Sequence, residues 1–288
     1  MSTLHENVLA ANGAMPIEVY DALYEFARAH APMNALEIGT GHGASAIAFT
    51  MGASLATPEF KLITIDRLED DRFSGEPSSR TKFGAREANR RIVERNFARA
   101  ELSHAIALFV GTSEEVIASS QLPTRLDALL IDADGRFDRD LLLFRERITE
   151  GALVVIDDVA GPPKITHAEG EARWLDLKHI ISARLLEAYV AEGFLEEDCR
   201  VSSTAFCFAR KVSQWNIDRL SAIALECYRT IVFTKLDSST IVKWAMAEPQ
   251  HFEEAVLGRR LLSHFRVPLR AARALKRHVS LAQAKLRM

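Results

Sequence analysis

The chain has 288 residues, of which 48% are hydrophobic and 26% are charged, a composition typical of one large globular domain or of a domain with an appendage. No run of about 18 apolar residues is found, so we expect no transmembrane helix, and the first 15 residues lack the pattern of a signal peptide. The three cysteines form no C-x-x-C pair, so we expect reduced thiols, a cytoplasmic location and no structural zinc.

Residues 1–32 are predicted to be a helical lead-in to the main domain. The first 15 residues show little pattern, and a helix with one apolar face begins at Pro16. Pro32 ends this helix, because the residue before a proline disfavours helical geometry.

A strand, a tight turn and a helix are predicted within Ala35 to Thr50. Three glycines at alternate positions follow the strand: Gly39, Gly41 and Gly43. Such glycines permit positive φ and a close approach of a ligand to the backbone, and the helix N-terminus offers free N–H groups. The turn, including Thr40, is therefore predicted to bind a nucleotide-type cofactor.

Two kinds of cofactor fit this turn. The stretch from Gly39 to Ala44 satisfies the dinucleotide fingerprint G-x-G-x-x-G/A of NAD(P)-dependent oxidoreductases. The stretch from Glu37 to Gly43 instead resembles motif I of the class I S-adenosylmethionine (SAM) methyltransferases, in which an acidic residue precedes the first glycine by two. A buried carboxylate needs a partner, which the ammonium group of SAM would supply and NAD would not, so Glu37 favours SAM.

The second predicted strand, residues 61–66, ends in a carboxylate. In a doubly wound sheet Asp66 would lie beside the first turn, where it could accept hydrogen bonds from both ribose hydroxyls. The polar segment 67–85 that follows exceeds the usual connection of about 2–6 residues, and is either a lid or a surface excursion.

A basic helix over 86–101 and a third strand over 105–110 come next. Ser113, followed by two acidic residues, predicts the start of another helix. The stretch from Gly111 to Ser113 is similar to a Gly-x-Ser that lies against the adenine in catechol-type methyltransferases. This resemblance makes Thr112 and Ser113 candidate cofactor contacts.

Two further strands each end in a pair of carboxylates. The pairs are Asp132 and Asp134 after strand 126–131, and Asp157 and Asp158 after strand 151–156. Strand C-termini converge on the ligand crevice of an open α/β sheet, where four carboxylates would repel one another unless a cation bound them. Oxygen-only ligands suit Mg²⁺, which could clamp a substrate hydroxyl. Helix capping is the alternative explanation of these acids.

A loop containing His167, a helix around 172–192 and a hairpin over 195–209 are predicted to close the core. A sixth parallel strand followed by an antiparallel seventh is the class I methyltransferase ending, which the dinucleotide fold lacks. Apolar runs on both faces of the strands imply helices on both sides of the sheet. We therefore predict a Rossmann-like, seven-stranded doubly wound α/β sheet over residues 33–211, mostly parallel with an antiparallel last strand.

Residues 212–288 are predicted to form a helical C-terminal extension, with helices over 215–233, 238–247, 249–264 and 268–286. Nine Lys and Arg residues and no acidic residue lie after position 258, although the whole chain has a formal net charge of −3. These basic helices either pack on the domain or on a second copy of the chain, or contact an anionic surface or partner.

The acid pairs resemble those of the metal-dependent O-methyltransferases, of the catechol and caffeoyl-CoA types and especially the macrolide sugar enzymes. The last group has stretches similar to 131–134 and 155–158, and the resemblance covers about residues 33–211. It implies that Asp132, Asp157 and Asp158 are metal ligands and that Asp134 faces the substrate.

The general base is left open by this resemblance. Catechol-type enzymes carry a lysine three residues after the first aspartate, where this chain has Gly135. Asp134 and His167 are the candidates for the base, and His167 is also explained as a plain loop histidine.

Together these features predict a SAM-dependent methyltransferase that acts on a hydroxyl of a small molecule or sugar-containing metabolite with help from Mg²⁺. The predicted cofactor contacts are Glu37, Gly39, Thr40, Gly41, Gly43, Asp66, Thr112, Ser113 and Asp132. The alternatives are a NAD(P)-dependent oxidoreductase and a SAM-binding, non-catalytic partner subunit. Nucleic acid is not expected as a substrate, because the core is acidic and lacks a base-flipping motif.

Overall fold

The computed structural model of the chain describes residues 3–69, 82–119, 121–133, 135–160, 164–167, 173–176 and 178–233. Asp134, most of the lid-like segment 67–85 and the predicted helices after residue 233 lie outside these residues. The predicted roles of the basic C-terminal helices therefore stay predictions, as does the division of the chain at residues 32 and 211.

A seven-stranded sheet forms the centre of the molecule. Its strands are β1 (Asn34–Ile38), β2 (Lys61–Asp66), β3 (Ile106–Val110), β4 (Leu126–Ile131), β5 (Ile148–Ile156), β8 (Leu195–Val201) and β9 (Thr204–Ala209). The order across the sheet is β3-β2-β1-β4-β5-β9-β8. Strands β1 to β5 pair in parallel, and β9 runs antiparallel to both of its neighbours. The predicted sheet and its closing hairpin are confirmed.

Helices cover both faces of the sheet. They are α1 (Leu4–Ala10), α2 (Ile17–His30), α3 (Ala44–Ala56), α4 (Lys82–Arg99), α5 (Ser113–Ala118), α6 (Phe137–Phe144), α7 (Lys178–Ala191) and α8 (Ile217–Phe233). Helices α1 to α4 contribute to one hydrophobic core and α5 to α8 to the other. Successive strand residues point to opposite faces, so Leu36 and Ile38 belong to one core while Ala35 belongs to the other.

The N-terminal segment is more ordered than its sequence predicts. Residues 4–10 form α1, which begins with a capping box in which Thr3 and Glu6 satisfy each other's backbone N–H groups. Val8 and Ala11 are buried in the core beside α3. The first 15 residues show little pattern in the sequence, because α1 is too short to display a clear period and is supported by tertiary packing.

A second, two-stranded sheet replaces the start of the predicted helix 172–192. It pairs β6 (Lys164–His167) with β7 (Arg173–Asp176) in antiparallel register, and α7 begins only at Lys178. His167 therefore lies in a strand by its backbone, and not in the predicted loop. A short strand of four residues is hard to separate from an adjoining helix by periodicity alone.

The first part of the predicted C-terminal extension packs against the main domain. Trp215, Leu220, Ala224 and Cys227 are buried in the core that α5 to α7 form with the sheet. Within the part of the chain that the structure describes, no helix is long and apolar enough to cross a membrane.

Candidate active site at the carboxyl ends of the strands

The glycine turn after β1 is held between the two neighbouring strands. Gly39 N donates to the Ile65 carbonyl at 2.9 Å, and Asp132 N donates to the Ile38 carbonyl at 2.9 Å. Gly39 has a φ of 97°, and a Cβ atom at this position would lie 1.9 Å from the backbone oxygen of Asp132. Only glycine fits here, because the carbonyl belongs to the backbone and cannot move aside.

The next two glycines of the turn have different surroundings. A Cβ atom on Gly41 would meet no heavy atom within 4 Å, so this residue faces open space. A Cβ atom on Gly43 would lie 2.5 Å from the ring of Phe97 on α4, so Gly43 serves the packing of two helices. The turn thus exposes bare backbone at Gly41, which is what a closely bound ligand requires.

Two cavities lie on either side of this turn. The larger one, about 460 Å³, extends over the ends of β2, β3 and β4, and Thr112 and Ser113 line it. The smaller one, about 250 Å³, lies between the turn and the N-terminal helices. Gly39, Asp66 and Asp132 border both cavities. The two spaces therefore form adjoining parts of one crevice, at the sheet edge where open α/β folds bind ligands.

Asp66 lies at the junction of the two cavities. Its Oδ2 atom accepts a hydrogen bond from Gly41 N at 3.0 Å, and its Oδ1 atom accepts one from Leu68 N at 2.8 Å. These two bonds fix the carboxylate, and each oxygen keeps a further lone pair for a ligand. The arrangement fits a pair of vicinal hydroxyl donors.

The wall of the larger cavity includes the start of α5. The helix begins at Ser113, as predicted, and Thr112 is its N-cap, which shares a capping box with Glu115. Ser113 is the first helical residue, and its hydroxyl donates to Asp140 at 3.4 Å. Both residues line the cavity, as expected of cofactor contacts, and their contact with a cofactor stays a prediction.

Glu37 lies beneath the turn and is 1% exposed. Ser45 Oγ donates to its Oε1 atom at 2.6 Å, and the Thr64 hydroxyl donates to its Oε2 atom. Burial raises the pKa of Glu37 to about 8; the two hydroxyls oppose this, while Asp132 and Asp66 add to it. The sequence favoured the ammonium group of SAM as the partner of Glu37, whereas hydroxyl groups of the chain already donate hydrogen bonds to this carboxyl group. The SAM contact of Glu37 stays a prediction.

The Glu37→Gln variant is expected to lose a pH dependence of stability that the native chain has. Between the usual pKa of 4.5 and the folded value of about 8, the unfolded chain releases the Glu37 proton and the folded chain keeps it. Native stability from this group therefore falls as pH rises through that window, by on the order of a few kcal/mol.

Urea unfolding at pH 5 to 8 measures the effect. Glu37→Gln should gain stability relative to the native chain as the pH rises, since the amide mimics the protonated acid. Glu94→Gln, at a half-exposed position on α4, is the control and should follow the native curve. Equal pH slopes for all three proteins would contradict the burial effect on Glu37.

Three of the four predicted carboxylates at the strand ends lie together. Asp132, Asp157 and Asp158 each offer an oxygen within 4.8 Å of the others. Asp157 Oδ1 accepts hydrogen bonds from Thr204 Oγ1 at 2.6 Å and from Ser203 Oγ at 3.3 Å. Sequence spacing alone correctly predicts the convergence of these three acids.

A lysine that the sequence analysis did not single out lies within this cluster. Lys178 Nζ is 3.0 Å from Asp132 Oδ1 and 2.6 Å from Asp158 Oδ2. Burial favours the neutral amine, but the charges of Asp132 and Asp158 outweigh it and raise the pKa of Lys178, so the side chain is an ammonium. It comes from the first turn of α7, far along the sequence, and no local pattern marks it.

The carboxylate oxygens are of the type that Mg²⁺ binds, but their arrangement does not accept it. Two of the three acids direct an oxygen at the Lys178 ammonium, and a dication at those oxygens would have to displace it. The residues as they stand therefore do not fit a divalent cation.

The smaller cavity has a wall that the sequence analysis also missed. Tyr20 of α2 lines it, and its phenol oxygen accepts a hydrogen bond from Met15 N at 3.1 Å. Burial raises the pKa of Tyr20, and the charges of Asp132 and Asp157 add to this effect. The predicted lead-in thus contributes directly to the crevice. The sequence did not indicate this role, because Tyr20 falls on the apolar face of the predicted helix, where the pattern is typical of a core residue.

The two candidates for the general base stay untested. Asp134 lies outside the described residues, and of His167 the structure describes only the backbone, in β6. Their catalytic roles are predictions from the sequence.

Comparisons with known proteins agree with this geometry. Residues 36–159 match a family model described as a methyltransferase domain. Cofactor-bound Rv0187 from MTB aligns with a TM-score of 0.52 at 18% identity, over 72% of this chain and 89% of that one. An O-methyltransferase from Bacillus cereus, in complex with SAH, aligns with a TM-score of 0.51 at 16% identity, over 73% and 91%. At such identities the structures show a common fold. No curated protein matches the chain.

Proposed function

We propose that the chain is a class I methyltransferase, since residues 36–159 match a family model described as a methyltransferase domain, and that it transfers the methyl group of SAM to a hydroxyl group of a small molecule or sugar-containing metabolite. The observation that carries this proposal is the divided crevice, whose two cavities share Gly39, Asp66 and Asp132. A ligand with a nucleoside at one end and a charged amino acid at the other suits such a crevice.

The cofactor is oriented by the polar groups on each side of the turn. In our proposal the adenosine lies in the larger cavity, with the ribose hydroxyls on Asp66 and the adenine beside Thr112 and Ser113. The amino-acid end passes over the bare backbone of Gly41 into the smaller cavity. Asp132 borders both spaces and would therefore lie close to the sulfonium between them.

The acceptor hydroxyl would be placed at the acid cluster beside Asp132. The methyl group then moves from sulfur to oxygen, the sulfur keeps the electron pair of the broken bond, and the acceptor proton leaves to a base. Asp134 and His167 are the proposed candidates for that base. Because this is an in-line displacement, holding the two reactants in position supplies most of the rate enhancement.

SAH bound in the structurally similar O-methyltransferase from Bacillus cereus supports the choice of cofactor. Mg²⁺ assistance was predicted from Asp132, Asp157 and Asp158, and a bound Mg²⁺ would polarise the acceptor oxygen. No step of the proposed reaction is routed through it, because Lys178 already engages Asp132 and Asp158.

The two alternatives from the sequence are not favoured. A NAD(P)-dependent oxidoreductase does not explain the antiparallel β9 or the match to a methyltransferase domain. A non-catalytic subunit does not explain a crevice that reaches the acid cluster. We keep the proposal of a cytoplasmic location, which the three free cysteines support.

Isothermal titration calorimetry with S-adenosylhomocysteine (SAH), the product form of the cofactor, tests the proposal most directly. The native chain is expected to bind one SAH with a dissociation constant in the micromolar range, and to show no heat with NAD⁺. A mass-spectrometric screen with deuterated SAM and hydroxyl-bearing acceptors would then identify the substrate class. Binding of NAD⁺ without SAH would overturn the proposed function.

A further inference from the structure

The acid cluster at the ends of β4 and β5 already contains a positive charge. Asp132 and Asp158 each direct one oxygen at the same ammonium group, at 3.0 Å and 2.6 Å from Lys178 Nζ. The Lys178 side chain is only 15% exposed and that of Asp158 only 18%, so their ion pair is largely shielded from water, while Asp132 is more open at 35%. Removing one partner of such a shielded pair is costly, because it leaves an unpaired buried charge.

The remaining oxygens of the cluster are also partly engaged. Asp158 Oδ1 lies 3.3 Å from Nδ1 of the buried His179, and Asp157 Oδ1 accepts the hydroxyl hydrogens of Thr204 and Ser203. A divalent cation would therefore have to displace an ammonium and compete with two hydroxyl groups for Asp157 Oδ1.

The backbone facing Lys178 is shaped to receive it. Gly135, three residues after Asp132, has a φ of 78°. A Cβ atom on Gly135 would lie 2.8 Å from Lys178 Cγ and 3.1 Å from both the Lys178 Cα and carbonyl oxygen. The absence of a side chain at this position is thus what lets the stem of Lys178 pass into the cluster. The ion pairs fix the ammonium of this side chain, and the contact with Gly135 fixes its stem.

We propose that Lys178 is the resident cation of the Asp132–Asp157–Asp158 cluster, and that the native protein binds no divalent cation there. The ammonium offsets the repulsion among the acids and presents a fixed positive charge at the carboxyl ends of β4 and β5. This inference deepens the proposed function, because that charge lies where the acceptor hydroxyl is proposed to bind. Its physical basis is the geometry of the cluster and does not depend on the identity of the acceptor.

Titration with MnCl₂, followed by the electron paramagnetic resonance signal of free Mn²⁺, tests the inference without any turnover. The native chain is expected to show no saturable binding at millimolar Mn²⁺. The Lys178→Ala variant removes the ammonium and opens its space, so it should gain one Mn²⁺ site per chain. At saturation, Mg²⁺ or Mn²⁺ should raise the Tm of this variant by about 5 °C or more and leave the native Tm unchanged.

Two control variants make the result specific. Lys211→Ala removes a lysine whose Nζ bonds only to the Glu192 carbonyl among its described contacts, and it should bind no Mn²⁺. Adding Asp158→Asn to Lys178→Ala should abolish the new site. If Lys178→Ala does not fold, Lys178→Gln is titrated in its place. The native chain's own titration remains decisive in either case.

Saturable binding of Mn²⁺ by the native chain, lost in Asp158→Asn, would overturn the inference and restore the metal site. The inference would also be overturned if Lys178→Ala, or Lys178→Gln in its place, gained no Mn²⁺ site. The three acids would then not form a cation site. SAH calorimetry on the same native sample keeps the two proposals separate. SAH binding supports the proposed function, whether or not the chain binds Mn²⁺. If the native chain does not bind SAH, the Mn²⁺ titration still tests the role of Lys178.

Discussion

Replacing Gly39 with alanine is expected to abolish detectable SAH binding and to lower the free energy of unfolding by about 3 kcal/mol or more. The new methyl group would lie 1.9 Å from the Asp132 carbonyl oxygen, and the residue would keep a φ near 97° that alanine strongly disfavours. Relief requires β1 and β4 to move apart. This movement would displace Asp132, which borders both cavities.

Gly41→Ala is the matched comparison within the same turn. Its φ of 50° lies in the left-handed region that alanine can enter at a cost of about 1 kcal/mol, and its Cβ would meet nothing within 4 Å. The structure therefore predicts near-native stability, with SAH affinity reduced by a methyl group that points into the crevice. Urea unfolding and calorimetry on both variants check this separation. Equal losses of stability at the two positions would contradict the close contact at Gly39.

Asp66→Asn is expected to weaken SAH binding by about 100-fold, which corresponds to about 2.7 kcal/mol. Asparagine keeps one acceptor oxygen but replaces the other with an N–H donor, so it cannot both accept from Gly41 N and receive two ribose hydroxyls. Bonds to a charged acceptor contribute about 1.5–3 kcal/mol each, so the loss of one accounts for this size. Calorimetry with SAH measures it directly.

A second aspartate provides the control for backbone support. Asp127 Oδ2 accepts hydrogen bonds from Met33 N at 3.2 Å and Asn34 N at 3.1 Å, at the opposite end of the sheet. Asp127→Asn should therefore lower the free energy of unfolding about as much as Asp66→Asn does, and it should leave SAH affinity unchanged. A comparable loss of SAH affinity in both variants would contradict a direct contact between Asp66 and the ribose. The loss would then come from weaker backbone support.

The sheet could be predicted well from the sequence because its signals are local. Apolar runs bounded by turn residues define the strands, and the alternating glycines and closing hairpin set the topology. The convergence of Asp132, Asp157 and Asp158 follows directly, since the carboxyl ends of neighbouring parallel strands meet at one edge. These are consequences of chain geometry that any sequence with the same pattern would share.

The rest of the site could not be predicted because it depends on contacts between distant segments. Lys178 reaches the acids from a helix 46 residues after Asp132, and Tyr20 reaches the crevice from before β1. The hydrogen bonds of Glu37 also depend on segments that are distant in the sequence. Its hydroxyl partners, Ser45 and Thr64, lie on α3 and β2, and no single-sequence pattern states that they will meet.

The position of β9 has a consequence for how the chain is made. β9 is the last strand among the residues that the structure describes, yet it pairs with β5, and its Thr204 holds Asp157. A nascent chain leaving the ribosome therefore exposes the unpaired edge of β5 until residue 209 has emerged, and such an edge invites pairing with other chains. In any shorter translation product Asp157 lacks its Thr204 partner, so the acid cluster beside the crevice takes its final form only after synthesis has passed this point.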